Sequence, residues 1–384
     1  MPQDFFHQEF LRNVDLDLFN QYLQFRKLPI LQLSDQNELV NQMVEYVDNV
    51  PLDQHDAILT DFISARELAS DGGIKAVYEL NHSDEFIEKM ATFGNHICRA
   101  LYCLIEKPDL FGDALTLKQL VNTTNFYTRN GLKKVEANEV LAKQSQLELE
   151  LSAFLQKAEG RGKSCSADAY HFRDRVCFIA HPEDHPRSYL FYEGQKLNRK
   201  VHHPSFDVIF VYYPEEGRIE LTTRMGYKKR QQLFNLFNRI VLNDPSPVPA
   251  NQQVLRLDKI LHSEFKLITE PEDQVDSVYL SQIRLDNKYN RKKRFIVQID
   301  DGKGIESMLE ELKYRNLLGT NLEYYTVAQA TFKFQFKQFG RNNRVTAQLT
   351  APDRDTLNET ASNQLAKKYI GKWGLLHDAD STTD

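Results

Sequence analysis

Four groups of residues in this 384-residue sequence have types and spacings that could do chemistry. Lys157-Ala-Glu-Gly-Arg-Gly-Lys-Ser164 ends like a phosphate-binding loop: Gly162 supplies free backbone, Lys163 a phosphate cation and Ser164 a magnesium hydroxyl. Lys157 stands where the motif has its first glycine, and a helical pattern precedes the loop where a phosphate cradle needs a strand. The plainer reading is a basic glycine loop that joins a helix to a sheet. Cys165, His171, Cys177, His181 and His185 fall within 21 residues, with His202 and His203 beyond, and cysteine with histidine can build a tetrahedral zinc site. The spacings are irregular, no Cys-x-x-Cys occurs, and Cys177 sits in an alternating run where a thiol is an ordinary core residue. We therefore assign no metal and no other cofactor, and read His181-Pro-Glu-Asp-His-Pro186 as a surface loop.

Carboxylates form the third group. Asp207 and Glu220 are expected on neighbouring strands of a hairpin, where they would meet across it. Glu311-Leu-Lys313 has the Glu-x-Lys form of some nucleases, but on an amphipathic helix residues two apart point away from each other. Phe295-Ile-Val-Gln-Ile-Asp-Asp301 is an apolar strand with an acidic end, as in ATPases and at many turns. A metal-dependent nuclease or other hydrolase needs clustered carboxylates and a lysine around a metal, and no third ligand presents itself, so no catalytic residue is assigned. The fourth group is cationic. Arg224, Lys228, Lys229 and Arg230 open a helix, Lys288, Arg291, Lys292, Lys293 and Arg294 crowd one turn, and Lys333, Lys337, Arg341 and Arg344 crowd another. Like charges this close repel unless solvent or a polyanion relieves them. Those at the helix start also oppose its dipole. These thirteen are the predicted polyanion-binding residues.

The elements that must carry them are legible as changes of period. Phe86, Met90, Phe93, Ile97, Leu101 and Leu104 predict one face of a long helix that Ser83 would cap, and Leu16, Phe19, Leu23 and Ile58, Leu59, Phe62, Ile63 mark two more. A further helix is predicted from Val135 to about Ala158, with Leu147, Leu151, Phe154 and Leu155 as its stripe and Gly160 and Gly162 as its stop. From Arg175 the period becomes two. Strands are predicted at 175–180, 188–192, 206–213 and 218–224, followed by a helix over 228–242 that buries Leu233, Phe234 and Phe237. Three prolines in Asn243-Asp-Pro-Ser-Pro-Val-Pro249 predict a linker. Beyond it a ββαββα order is expected, with strands at 278–285, 295–299, 325–337 and 345–350, a helix bearing Ile305, Met308, Leu309 and Leu312, and a last helix from Asp353.

The predicted class is α+β: an N-terminal helical domain followed by two mainly antiparallel sheet modules. The expected divisions are an acidic helical domain over 1–130, a connecting helix over 131–160, an antiparallel sheet with a helix over 165–243 and the ββαββα module over 250–384. Charge follows the same division. Residues 1–130 hold 20 Asp and Glu against 10 Lys and Arg, and the remainder 34 against 38, so a basic sheet region can meet a polyanion that the helical region repels. A hydrophobic share of 41% with 27% charged residues is that of a folded domain and excludes a disordered chain. No apolar run approaches the ~20 residues that span a bilayer, and the acidic start Met1-Pro-Gln-Asp4 is unlike a signal peptide, so no membrane partner and a cytoplasmic location are expected. Four scattered cysteines are read as reduced thiols.

The stretch from Gly160-Arg-Gly-Lys-Ser-Cys165 through Arg175-Val-Cys-Phe-Ile-Ala-His-Pro-Glu-Asp-His-Pro-Arg-Ser-Tyr-Leu-Phe191 to Phe206-Asp-Val-Ile-Phe-Val-Tyr-Tyr-Pro-Glu-Glu-Gly217 resembles an uncharacterised prokaryotic family associated with phage-defence genes. The resemblance covers about a third of the chain and carries no functional residues. It implies a bacterial accessory or sensor subunit, with antiviral defence as its setting. The expectation is a non-enzymatic binding protein. Its basic sheet modules would meet nucleic acid, and its helical domain a protein partner or a second copy. The alternatives are a metal-dependent hydrolase and a structural subunit whose basic surface meets an acidic protein.

Overall fold

The computed structural model describes residues 6–32, 38–81, 83–193, 196–250, 252–262, 264–290, 292–299, 324–339 and 343–376. The expected helix with Ile305 to Leu312, the pair Glu311 and Lys313, and the cations Arg291 and Arg341 lie outside them. The protein is α+β. It divides into two compact units, Met1–Asn122 and Thr123–Asp384.

The first unit is helical: α1 (His7–Leu11), α2 (Leu16–Phe25), α3 (Leu39–Asn49), α4 (Leu52–Leu68), α5 (Asp71–Leu80), α6 (Asp84–Ala91), α7 (His96–Glu106) and α8 (Pro108–Asn122). Phe10 stacks on Phe62 at 4.5 Å in its core, and the Tyr22 hydroxyl donates to the buried Asp61 at 2.7 Å. The single long helix expected through Phe86 and Leu104 is instead two. Asn95 accepts the Cys98 N–H at 2.8 Å and so starts α7 afresh, whereas the Ser83 side chain makes no capping bond. Among the described residues no helix is long and apolar enough to cross a membrane.

The second unit is built on a ten-stranded antiparallel sheet. Its strands are β1 (Phe126–Arg129), β2 (Cys165–Phe172), β3 (Arg175–Pro182), β6 (Val208–Tyr213), β7 (Arg218–Thr223), β8 (Val275–Asn287), β9 (Arg294–Gln298), β10 (Tyr325–Phe336), β11 (Arg344–Thr350) and β12 (Arg354–Asp355). They lie in the order β2-β3-β6-β7-β1-β12-β11-β10-β8-β9, while β4 (Arg187–Glu193) and β5 (Lys196–His202) form a separate hairpin. The two stretches read as separate sheet modules thus share one sheet. The strand that joins them is β1, which pairs with β7 on one side and β12 on the other.

Paired residues in an antiparallel sheet point to the same face, so one row can be followed across all ten strands. It runs Ala169, Phe178, Phe210, Leu221, Tyr127, Arg354, Thr350, Gln329, Arg284, Ile296. Its first half is apolar because α10 (Gln144–Glu159) and α11 (Tyr227–Ile240) cover it: Leu147, Leu151 and Leu155 of α10 and Leu233, Phe234 and Phe237 of α11 bury against Phe178, Phe210 and Leu221. From Tyr127 onward the row is polar and partly exposed until Ile296. There the apolar residues are on the opposite face. Phe332, Phe334, Ala347 and Leu349 pack under α12 (Ala361–Lys372), and Trp373 stacks on Phe334 at 5.7 Å. The helix expected over 135–158 is likewise broken, into α9 (Ala137–Leu141) and α10.

The proline-rich stretch read as a linker is strapped along α11. Asn238 Nδ2 donates to the carbonyls of Asp244 (3.2 Å) and Ser246 (3.0 Å), Gln231 Nε2 donates to that of Val248 (2.6 Å), and the Val248 N–H donates to Asn235 Oδ1 (2.9 Å). Val248 itself enters the core.

Candidate nucleic-acid interface

The two halves of the sheet meet at β1 and β12, and charged side chains gather on both faces of this joint. On the α11 side, β1 presents Tyr127 and Arg129, β12 presents Arg354, and the first turns of α11 add Tyr227, Arg230 and Phe234. Together they line a cavity of about 250 Å³. The Arg230 guanidinium lies 3.8 Å from the Tyr127 ring centre, Arg354 lies 5.8 Å from it, and Arg129 lies 4.8 Å from that of Phe234. Cations over aromatic faces are attracted by the ring quadrupole. Arg129 is 2% exposed. Its Nη1 donates to the Thr128 carbonyl at 2.7 Å and pairs with Asp353. Arg354 Nη2 donates to Asn125 Oδ1 at 2.6 Å, and Arg230 Nη1 to the Met225 carbonyl at 2.6 Å. The Nε atoms of Arg129 and Arg354 are buried without a hydrogen-bond partner, an uncommon state for a charged donor.

On the opposite face a second cavity, of about 390 Å³, holds a buried ionic cluster. Glu220 of β7 is 1% exposed. It accepts from Arg218 and, at 2.8 Å, from Lys367 of α12, while Tyr213 donates to it at 3.2 Å. Arg175 of β3 bonds Tyr213 at 2.9 Å and pairs with Glu359. Burial alone would raise the Glu220 pKa; Lys367 and Arg218 outweigh it and bring it down to about 2. Asp355 accepts the neutral Leu357 N–H, at 2.9 Å. Its burial, with Glu220 nearby, raises it to about 6 against the pull of Lys367.

The predicted cations are dispersed. Arg224 and Lys228 are exposed at the start of α11, and Lys229 pairs with Glu159 at the end of α10; of these four Arg230 enters the cavity at the joint. Lys288, Lys292, Lys293 and Arg294 are exposed around the β8–β9 turn. Lys337 and Arg344 flank the β10–β11 turn, where Arg344 Nε donates to Gln335 at 2.8 Å, and Lys333 lies on β10 itself. These two turns are at opposite ends of β10, about 37 Å apart at ~3.4 Å per residue, so they form no common patch. Pairing places Lys333, Gln335, Arg344, Thr346, Gln348 and Thr350 on the same face as Tyr127 and Arg354. Among the described residues a polar, partly exposed strip of sheet, interrupted by the buried Thr331, therefore leads from the β10–β11 turn to the arginine cavity.

The hairpin β4–β5 adds a second cationic surface. On one side Tyr189 lies 5.8 Å from Phe191 and Lys200 lies 6.0 Å over Phe191. The other side bears Leu190, Tyr192, Leu197 and Val201, all more than half exposed. A two-stranded hairpin whose exposed apolar side is interrupted only by Arg199 and Ser188 is marginal in water by itself.

Asp207 and Glu220, expected to face each other across a hairpin, do not meet. The β6–β7 register sets Glu220 opposite Val211, and Asp207 instead lies 3.1 Å from His181 Nδ1, a bond that raises the His181 pKa. Cys165 and Cys177 point to opposite faces of the sheet, because Cys165 pairs with Pro182, five residues beyond Cys177. Burial raises both thiols, Cys165 to about 12. Among the described residues no three His, Cys, Asp or Glu side chains are grouped to hold a metal. In the glycine loop, Gly160 ends α10 in the left-handed region and the Gly162 N–H donates to the Glu183 carbonyl at 2.9 Å. A Cβ on Gly162 would sit 2.7 Å from that of Leu155, so this glycine serves close packing. Arg161 pairs with Glu159 and Asp184 over the Phe206 ring.

Sequence reasoning missed Tyr127, Arg129 and Arg354. A four-residue strand and a two-residue strand carry too little periodicity to be read, and more than 200 residues separate them. No protein-family model matches the chain, and no curated protein matches it.

Proposed function

We propose that the protein binds single-stranded nucleic acid on the open half of its large sheet. The observation that carries this reading is the ten-strand row, which turns from apolar to polar at Tyr127 and Arg354, beside the cationic start of α11. A sheet face that, among the described residues, no helix covers, with aromatic and arginine planes, suits unstacked bases, which every sequence offers. The amides and hydroxyls of Gln329, Gln335, Gln348, Thr346 and Thr350, with Lys333 and Arg344, provide donors for backbone phosphates and base edges. The cationic, aromatic side of the β4–β5 hairpin supports the same ligand.

Fluorescence anisotropy with labelled single-stranded DNA and RNA, over 50–200 mM salt, tests it. The triple variant Lys228→Ser, Lys337→Ser, Arg344→Ser is expected to weaken binding about equally across sequences. Its log K against log salt should be shallower by up to ~0.7 for each phosphate that is no longer neutralised. Unchanged affinity and slope in the variant would remove this face from the binding surface, and a wild type that binds neither strand at low salt would overturn the reading.

A further inference from the structure

We propose that the cavity between β1, β12 and the first turns of α11 is a nucleotide pocket that takes one terminal phosphate with its base stacked alongside. The inference rests on the nucleic-acid reading where that nucleotide is the end of a strand, and stands without it where the nucleotide is free.

Charge selects the ligand class. Among the lining residues three arginines, Arg129, Arg230 and Arg354, face one carboxylate, Asp353, which leaves two positive charges uncompensated. A phosphate monoester carries about −1.5 to −2 near neutral pH, whereas an internal phosphodiester carries one charge. The pocket therefore matches an end rather than the run of a strand. Donor geometry agrees. A guanidinium has five N–H donors, yet among the described residues Arg230 and Arg354 each make a single hydrogen bond, through Nη1 and Nη2 respectively. Each keeps a second terminal nitrogen for a bidentate grip on phosphate oxygens. Arg129, nearly fully buried, keeps an unpartnered Nε. The tethers that do exist, of Arg354 to Asn125, of Arg230 to Met225 and of Arg129 to Thr128, Asp353 and, at 3.5 Å, Gln231, hold the three planes in place and leave donors on Arg230 and Arg354 and the Nε of Arg129. α11 has fourteen residues, and its Gly226 cap offers no side chain, so its positive end adds to the same field.

Shape selects the rest. Tyr227, 44% exposed at the start of α11, and Pro352 line the same cavity and offer flat apolar faces. The volume of about 250 Å³ lies just below the ~300–1,000 Å³ that hold drug-sized ligands. That admits one nucleotide unit and not two.

The test uses the full chain and four probes: a single-stranded 12-mer with a 5′-phosphate, the same 12-mer with a 5′-hydroxyl, AMP, and inorganic phosphate. The phosphorylated 12-mer is expected to bind at least about tenfold more tightly than the hydroxyl form. This ratio should fall below about threefold in Arg230→Gln, and Arg230→Lys, which keeps the charge and loses the fork, should fall between. Melting curves establish that both variants are folded. Equal binding of the two 12-mers, with no binding of AMP, overturns the pocket and leaves the nucleic-acid reading standing. AMP binding that depends on Arg230, with no binding of either 12-mer, supports the pocket with a free nucleotide as its source and overturns the strand reading. Inorganic phosphate that binds as tightly as AMP overturns the stacked base. No binding of any probe overturns both proposals.

Discussion

Replacing Glu220 with glutamine should cost the sheet unit a large part of its stability at neutral pH and almost none in acid. Glu220 is 1% exposed, and Arg218 of its own strand, Lys367 of α12 and the Tyr213 hydroxyl converge on its carboxylate, with Arg175, Glu359 and Asp355 around them. Its pKa drops from 4.5 to about 2 in the folded protein. A depressed carboxylate contributes stability that is fully present above its unfolded pKa and is lost as pH falls through its folded one. At ~1.36 kcal/mol per pKa unit this amounts to about 3 kcal/mol, in line with the ~3–5 kcal/mol lost when one partner of a buried pair is removed. Asp355 limits the loss, because it is already largely ionised at pH 7 and the repulsion between the two carboxylates is relieved when Glu220 goes. The single tryptophan, Trp373, packs against Tyr369 of α12 and reports on this unit by fluorescence. At ~2–4 °C per kcal/mol for units of this size, Glu220→Gln should melt roughly 6–12 °C below wild type at pH 7, and the difference should close as pH falls from 4.5 toward 2. A variant that melts within 2 °C of wild type at pH 7, or a difference that is the same at pH 7 and pH 3, would refute this account of the cluster.

Asp355 has the opposite sign. Its folded pKa is raised to about 6 from 3.8, so the folded state holds a proton that the unfolded state has released, and stability falls as pH rises from about 4 to 6. Asp355→Asn should therefore melt higher than wild type at pH 7 and close to it at pH 4; a lower melting point at both would show that the carboxylate is needed for packing. Limited proteolysis that nicks 243–249 should leave two fragments that co-elute in gel filtration, since β1 is bonded to strands on both sides of the nick. Fragments that separate without denaturant would contradict the shared sheet.

The elements with strong local signals are legible in the sequence. The stripe Leu147, Leu151, Leu155 is the buried face of α10, and Leu233, Phe234 and Phe237 that of α11. The alternating runs that form β6, β7 and β10 fall within two residues of their expected limits. Pairing across long separations is not legible. β1 looks like the tail of a helical region because four residues show no period, and β2 escapes a period-two reading because Cys165–Phe172 mixes small, polar and aromatic residues. The last helix begins at Ala361 and not near Asp353, since 354–355 are drawn into the sheet before the chain turns. Of the candidate site, charge alone is visible in the sequence, and it points mostly to turns. Arg230 stands out for its place in a basic run; its partners Arg129 and Arg354 are isolated cations in the sequence.

The position of β1 also sets the order in which the molecule can be completed as it is synthesised. Tyr127 leaves the ribosome early, but its partners are Leu221 and Arg354, and the second of these is made more than 200 residues later. Until then β1 is an edge with open backbone donors and acceptors, the kind of edge that invites pairing with the wrong strand. The arginine cavity, which needs 129, 230 and 354 at once, cannot exist on a chain that ends before 354. Any ligand that fills it would recognise only chains synthesised past 354, and by holding both sides of the joint would stabilise the union of the two half-sheets.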